Sequence, residues 1–222
     1  MENWKQWFPV ETNNGMEGFP QLKELVVRRC RKLKGKLPHI PSMLSKLVVD
    51  DCPELVVSIP RNQMLCELDI ENCKEAVYED EADIMSLRSI NISPAAEFQY
   101  QAEGFMQGLR RLKDLKISYS EGFMKVLEEV GFPPNLSSLT IRNLKVCKPL
   151  LQWGLHRVTS LRELHLSGEA TDMVSFPPEP EEEEEKEEEN VDDELQGKMM
   201  LPNSLTTLNI ESFKNLDRKD VL

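Results

Sequence analysis

The sequence has no long apolar run; in 222 residues the longest stretches are a few residues, such as Leu55-Val56-Val57. A membrane-spanning helix needs about 20 apolar residues in a row, so none is expected. The opening, MENWKQWFPVE, places charges where a secretory leader needs an apolar centre, which argues against secretion. Cysteine is scarce and odd in number, five with no C-x-x-C pair. A disulfide framework is therefore not expected; a reducing compartment is, the cytoplasm first and the nucleus as a second location. Excess basic charge is also missing. Lys plus Arg is 27 against 39 Asp plus Glu, a formal net charge of −12. Nucleic-acid binding needs a basic footprint, so that partner class is not expected. No H-E-x-x-H, G-x-S-x-G or G-x-x-x-x-G-K-[ST] occurs, which removes the usual signatures of zinc hydrolysis, serine nucleophiles and phosphate cradles.

What is there is unevenly placed. From Glu179 to Glu194 there are ten Glu, two Asp and one Lys, a net −11, so the rest of the chain is close to neutral. Leucine is the abundant residue, 29 of 222, and its placement is periodic. LKELVVRRC begins at Leu22, LSKLVVDDC at Leu44 and LCELDIENC at Leu65, each of the form L-x-x-L-x-[VI]-x-x-C. Variants follow from Leu87, Leu112, Leu136, Leu161 and Leu205, giving spacings of 22, 21, 22, 25, 24, 25 and 44. A period of 20–29 with this pattern is the leucine-rich repeat. The one long interval exceeds a normal repeat by about 20 residues, which matches the acidic run. Residues 177–198 therefore read as an acidic disordered insertion within one leucine-rich domain spanning 1–222.

The x-L-x-I-x centre alternates, so each repeat predicts a short strand with one buried face. Equal motif phase predicts one parallel sheet, on the concave side of an α/β solenoid of horseshoe form. Prolines 20, 38, 41, 60, 133, 134, 177 and 202 fall in the returns and predict mostly irregular convex connections. Short helices are expected only over 123–130 and 149–156. No capping segment is evident at either end of the array.

Several stretches resemble the leucine-rich-repeat region of plant intracellular immune receptors of the coiled-coil, nucleotide-binding type. Phe19 to Leu37, FPQLKELVVRRCRKLKGKL, followed by Pro38, is similar to that family's repeat, and the next repeat has the Cys52-Pro53 pair. Gly131 to Ile141, Trp153 to Leu161, Leu201 to Leu216 and the opening MENWKQW resemble further family segments. Arg31 stands where the family has proline, and no nucleotide-binding module or long heptad segment is present. The resemblance implies a recognition module without enzymatic activity or cofactor. It would sense pathogen effectors or guarded host proteins and contribute to self-inhibition against the receptor's nucleotide-binding module. The chain reads as an interior fragment or a truncated gene product. A rival reading is a stand-alone acidic leucine-rich protein that binds basic partners such as histones, on the strength of the acidic run.

No catalytic, cofactor or metal residues are expected. Cys30, Cys52 and Cys73 are spaced by the repeat itself, so they predict inward ninth positions rather than a metal site. Cys66 reads as outward and Cys147 as packed in a return. The expected binding surface is the set of outward repeat positions: Lys23, Glu24, Arg28, Arg29, Lys46, Asp50, Asp51, Glu67, Asp69, Glu71, Arg88, Lys113, Lys116, Tyr119, Arg142, Arg162 and His165. Charge along it runs +2, −1 and −3 over the first three repeats, with Glu67, Asp69 and Glu71 as an acidic cluster.

Overall fold

The computed structural model describes residues 4–8, 19–37, 43–59, 63–78, 85–92, 97–99, 108–118, 127–145, 154–169, 176 and 201–215. Tyr119, Cys147 and the acidic run lie outside them.

Among the described residues ten strands form one sheet: β1 Glu24–Arg28, β2 Gly35–Lys36, β3 Lys46–Ile59, β4 Glu67–Tyr78, β5 Ser89–Ile92, β6 Glu97–Gln99, β7 Asp114–Ser118, β8 Ser138–Leu144, β9 Glu163–Gly168 and β10 Thr207–Glu211. The eight repeat strands run in sequence order, β1-β3-β4-β5-β7-β8-β9-β10, and every pairing is parallel. Register follows motif phase. The fourth-position residues Leu25, Leu47, Leu68, Ile90, Leu115, Leu139, Leu164 and Leu208 stand opposite one another down the sheet. The chain is thus a leucine-rich-repeat solenoid, with the core built from the inward first, fourth and sixth positions. No repeat could bury these residues alone; each covers the next.

The returns carry more β-structure than the prolines suggest. Beyond their repeat segments, β3 and β4 continue into a second parallel ladder, in which Gly35–Lys36 pairs with Leu55 and Val56, Val56–Ile59 with Glu75–Tyr78, and Glu75–Val77 with β6. Leu55, Val57 and Ile59 are fully buried. Their period-two spacing in LVVSI is a strand signal in its own right. Among the described residues, helix is found at 127–130, at the single residue Gly108 and in one 3₁₀ turn, Leu155–Arg157. The first ends at Gly131 (φ 81), whose N–H donates to the Leu127 carbonyl, a left-handed glycine terminus. Residues 123–126 and 149–153 of the two expected helices lie outside the described residues.

The first end of the array differs from expectation as well. Trp4 and Trp7, ring centroids 4.9 Å apart, pack against the core. The Lys34 N–H donates to the Lys5 carbonyl at 3.0 Å. Residues 4–8 therefore lie along the return of the first repeat and partly cover it. At the other end, the fourth-position Leu208 is 40% exposed, whereas Leu47, Leu139 and Leu164 are fully buried.

A recurring bend explains the ninth position. Arg29, Asp51, Asn72, Asn143 and Ser212, all at position eight, have φ between 50 and 68°. In a continuous strand, positions seven and nine would share a face. The left-handed residue breaks the alternation, so position nine turns inward. Cys52 Sγ donates to the Val27 carbonyl at 3.9 Å and Cys73 Sγ to the Val49 carbonyl at 3.6 Å. Each thiol thus reaches the preceding repeat. Burial pushes the Cys73 thiol up to about 12 and raises Cys52 as well, so neither forms a thiolate near neutrality. Mass-spectrometric readout of iodoacetamide labelling on the native protein should show Cys66, which is partly exposed, modified well before Cys30, Cys52 and Cys73. Equal labelling of Cys73 and Cys66 would contradict the inward assignment.

Candidate protein-recognition face

The outward positions fall into three geometrically distinct sets. Glu24, Arg28, Lys46, Asp50, Glu67, Asp69, Glu71, Lys116, Arg142 and His165 stand on the open face of the sheet, at third, fifth and seventh positions. Lys23, Arg88, Lys113 and Arg162 instead precede the strands, at the margin where the chain enters the sheet. There the Lys23, Arg88, Lys113 and Arg162 carbonyls each accept backbone N–H bonds from the next repeat. Arg29 and Asp51 occupy the left-handed bend; Arg31 pairs with Asp51 at 2.9 Å.

The acidic cluster of the third repeat is not a free patch. Lys46 pairs with Glu67 at 2.6 Å. Asn91 Nδ2 donates to Asp69 Oδ1 at 2.9 Å and to Glu71 Oε1 at 2.8 Å, and Arg142 Nη1 meets the same Glu71 oxygen at 3.1 Å. Arg142 lies on β8 and Glu71 on β4, with β5 and β7 between. Three strand spacings are about 14 Å on a flat sheet. The pair closes because both side chains are long, the seventh position of β7 is the small, buried Ser118, and a concave face draws its side chains together. Val48, also at an outward position, is only 2% exposed.

Burial first, then the neighbouring Glu71, holds the Asp69 carboxyl above its usual range; Asp50 adds to this, while Asn91 and Arg28 oppose it. An acid raised in the folded state binds its proton more tightly there than in the unfolded chain. Its contribution to stability is therefore present at low pH and is lost as pH rises from the ordinary carboxylate value through the folded one. Asp69→Asn keeps an oxygen for Asn91 and should hold or raise stability at pH 7 while removing that slope. Urea unfolding of both proteins between about pH 4 and 7 checks this; a variant less stable at pH 7 would mean that the ionised carboxylate is favoured.

A concavity among the described residues lies on the second half of the face. A groove of about 610 Å³ is lined by Asp114, Lys116, Arg142, Glu163, His165 and Glu211, with Ser138, Thr140 and Asn209 among its smaller residues. The register organises it. Third positions supply acids, Asp114 and Glu163, and fifth positions supply Lys116 and His165. Ser138 Oγ donates to Glu163 at 3.2 Å. Lys116 forms no ion pair with a described residue. Of the residues chosen from sequence, Lys116, Arg142 and His165 meet in this groove. Glu211 and Asn209 of β10 were not among them, although the same period marks both. Such a surface offers graded charge and hydrogen bonding across an open, shallow trough.

No helix among the described residues is long and apolar enough to cross a membrane. No protein-family model matches the chain, and no solved structure matches it. It is similar to an Arabidopsis thaliana protein named "Putative disease resistance protein At3g14460", 26% identical over 260 residues. That alignment covers 91% of this chain and 17% of the relative, so the chain spans about a sixth of the length of the protein it matches.

Proposed function

We propose that this solenoid is the protein-recognition part of a plant disease resistance receptor, without catalytic activity of its own. Its partners would be a pathogen effector or a guarded host protein, and the nucleotide-binding module of the receptor that it helps to restrain, in the cytoplasm or nucleus. The similarity to a protein named for disease resistance supports the setting. The observation that carries the recognition role is the polar groove over β5 to β10, with Lys116 beside Asp114 and in no ion pair with a described residue, and His165 beside Glu163. A free parallel-sheet face of this kind is unusual, since most parallel sheets are covered on both sides. Charge placed in rows favours a partner of complementary pattern and penalises others.

The test uses the full receptor. Lys116→Glu combined with His165→Asp should abolish the defence response to the matching elicitor while leaving the unfolding midpoint of the repeat domain unchanged. A normal response from that receptor would remove the groove from recognition. Reversing Glu67, Asp69 and Glu71 to lysine is a poorer test. The new lysines would face Lys46 and Arg142 and disturb the fold as well as any contact.

A further inference from the structure

The margin where the strands enter the sheet carries a second pattern. It consists of three positions per repeat: the two turn residues before the first motif leucine and the residue after it. Across all eight repeats none of these is Asp or Glu. In repeats four to seven it holds Arg88, Arg110, Arg111, Lys113 and Arg162, all exposed, and none forms an ion pair with a described residue. The backbone places them in line. The Lys113 N–H donates to the Arg88 carbonyl at 2.9 Å, Ser137 to Lys113 at 2.8 Å, and Arg162 to Ser137 at 2.8 Å. Along the same margin, repeats two to four present Met43, Met64 and Met85, exposed by 41%, 50% and 55%. From the second repeat to the seventh the strip is apolar at one end and basic at the other, with Lys23 of the first repeat just beyond the apolar end, and the two parts join in repeat four, where Met85 and Arg88 are three residues apart.

We propose that this margin is a docking strip for a polypeptide segment that carries apolar side chains followed by an acidic stretch. Methionine is flexible and polarisable, and suits adaptable contact with apolar side chains. Arginine forks match carboxylates in geometry as well as charge. From the second to the seventh repeat the strip is about 24 Å long, the reach of roughly seven extended residues. A nucleic acid fits worse. Phosphates have no use for the methionines, and no margin residue is aromatic, so bases would find nothing to stack on. The strip shares no residue with the sheet-face groove, and it stands independently of the role proposed for that groove.

The probe is a fluorescein-labelled peptide of three leucines followed by five glutamates, titrated with the full chain at low salt and read by fluorescence anisotropy. Saturable binding at micromolar protein is expected. Arg110→Glu/Arg111→Glu/Lys113→Glu should weaken it about tenfold or more, and Met43→Ser/Met64→Ser/Met85→Ser by a similar factor. Lys116→Glu, in the groove, should leave it unchanged. Should either triple variant lose its wild-type unfolding midpoint, Arg111→Glu and Met64→Ser alone give the same reading with smaller changes. The proposal is overturned by an absence of saturable binding, by equal affinity in the margin variants, or by an equal loss in Lys116→Glu. It is also overturned if pentaglutamate, oligothymidylate or anionic vesicles bind as tightly as the mixed peptide, because the methionines would then contribute nothing.

Discussion

Leu68→Asp is expected to unfold the middle of the array. Leu68 is 1% exposed, and its register partners are Leu47 on one side and Ile90 on the other. The substitution removes a core side chain, worth about 2–5 kcal/mol with the cavity it leaves. It also strands a carboxylate with no partner between two apolar layers, which costs several kcal/mol more. A domain of this size is stable by only about 5–15 kcal/mol. Because neighbouring repeats stabilise one another, the loss should spread to the third and fourth repeats at least. Asp69→Asn, one residue along and facing outward, should retain the wild-type far-UV circular dichroism and denaturant midpoint or exceed them. Similar midpoints for the two variants would mean that the inward and outward faces had been exchanged.

Gly168→Ala is the second large effect, and it comes from a single backbone contact. Repeat seven has no left-handed residue at position eight. Its neighbour β8 does, at Asn143 (φ 54). The two strands therefore lose step after Ile141, and Leu144 comes to stand opposite Gly168. The residue at position eight of the seventh repeat, Gly168, is consequently buried. A Cβ there would meet the Leu144 backbone, lying 2.8 Å from its Cα and closer still to its N and carbonyl O. Backbone cannot rotate away as a side chain can, so β8 and β9 would have to separate. A cost of about 2–4 kcal/mol is expected, within the range of overpacked core sites. Gly35→Ala provides the contrast: its Cβ would meet nothing within 4 Å, so only its positive φ of 89° opposes the change. Thermal unfolding of both decides the matter. A Gly168→Ala midpoint no lower than that of Gly35→Ala would show that the strands can part at little cost.

The repeat period was enough to determine the strands, their parallel order and their shared register. Each is set by which residues must be hidden, and hiding follows a pattern written along the chain. Leu25, Leu47 and Leu68 pair because each occupies the same phase of its turn. The inward cysteines were legible for the same reason. The second ladder was partly legible in LVVSI, but prolines in the returns pointed to irregular structure, and only the pairing partners of Val56 to Ile59 across two repeats made a strand of it.

The binding face was legible as a list and not as a site. Sequence marks residues as outward, but not which of them satisfy one another. The pairing of Arg142 with Glu71 joins residues 71 positions apart, and together with Lys46 on Glu67 it offsets two of the three charges of an apparent acidic patch. The separation of Lys23, Arg88, Lys113 and Arg162 from the sheet face depends on where each strand begins. The need for glycine at position 168 depends on a register slip between two neighbours. Which face a residue turns inward follows from its phase within its own repeat, so the sequence by itself determined the membership of the core, although stacking is what buries it. Side-chain pairing, margin and close approach are properties of several repeats stacked together, and only the tertiary structure decided them.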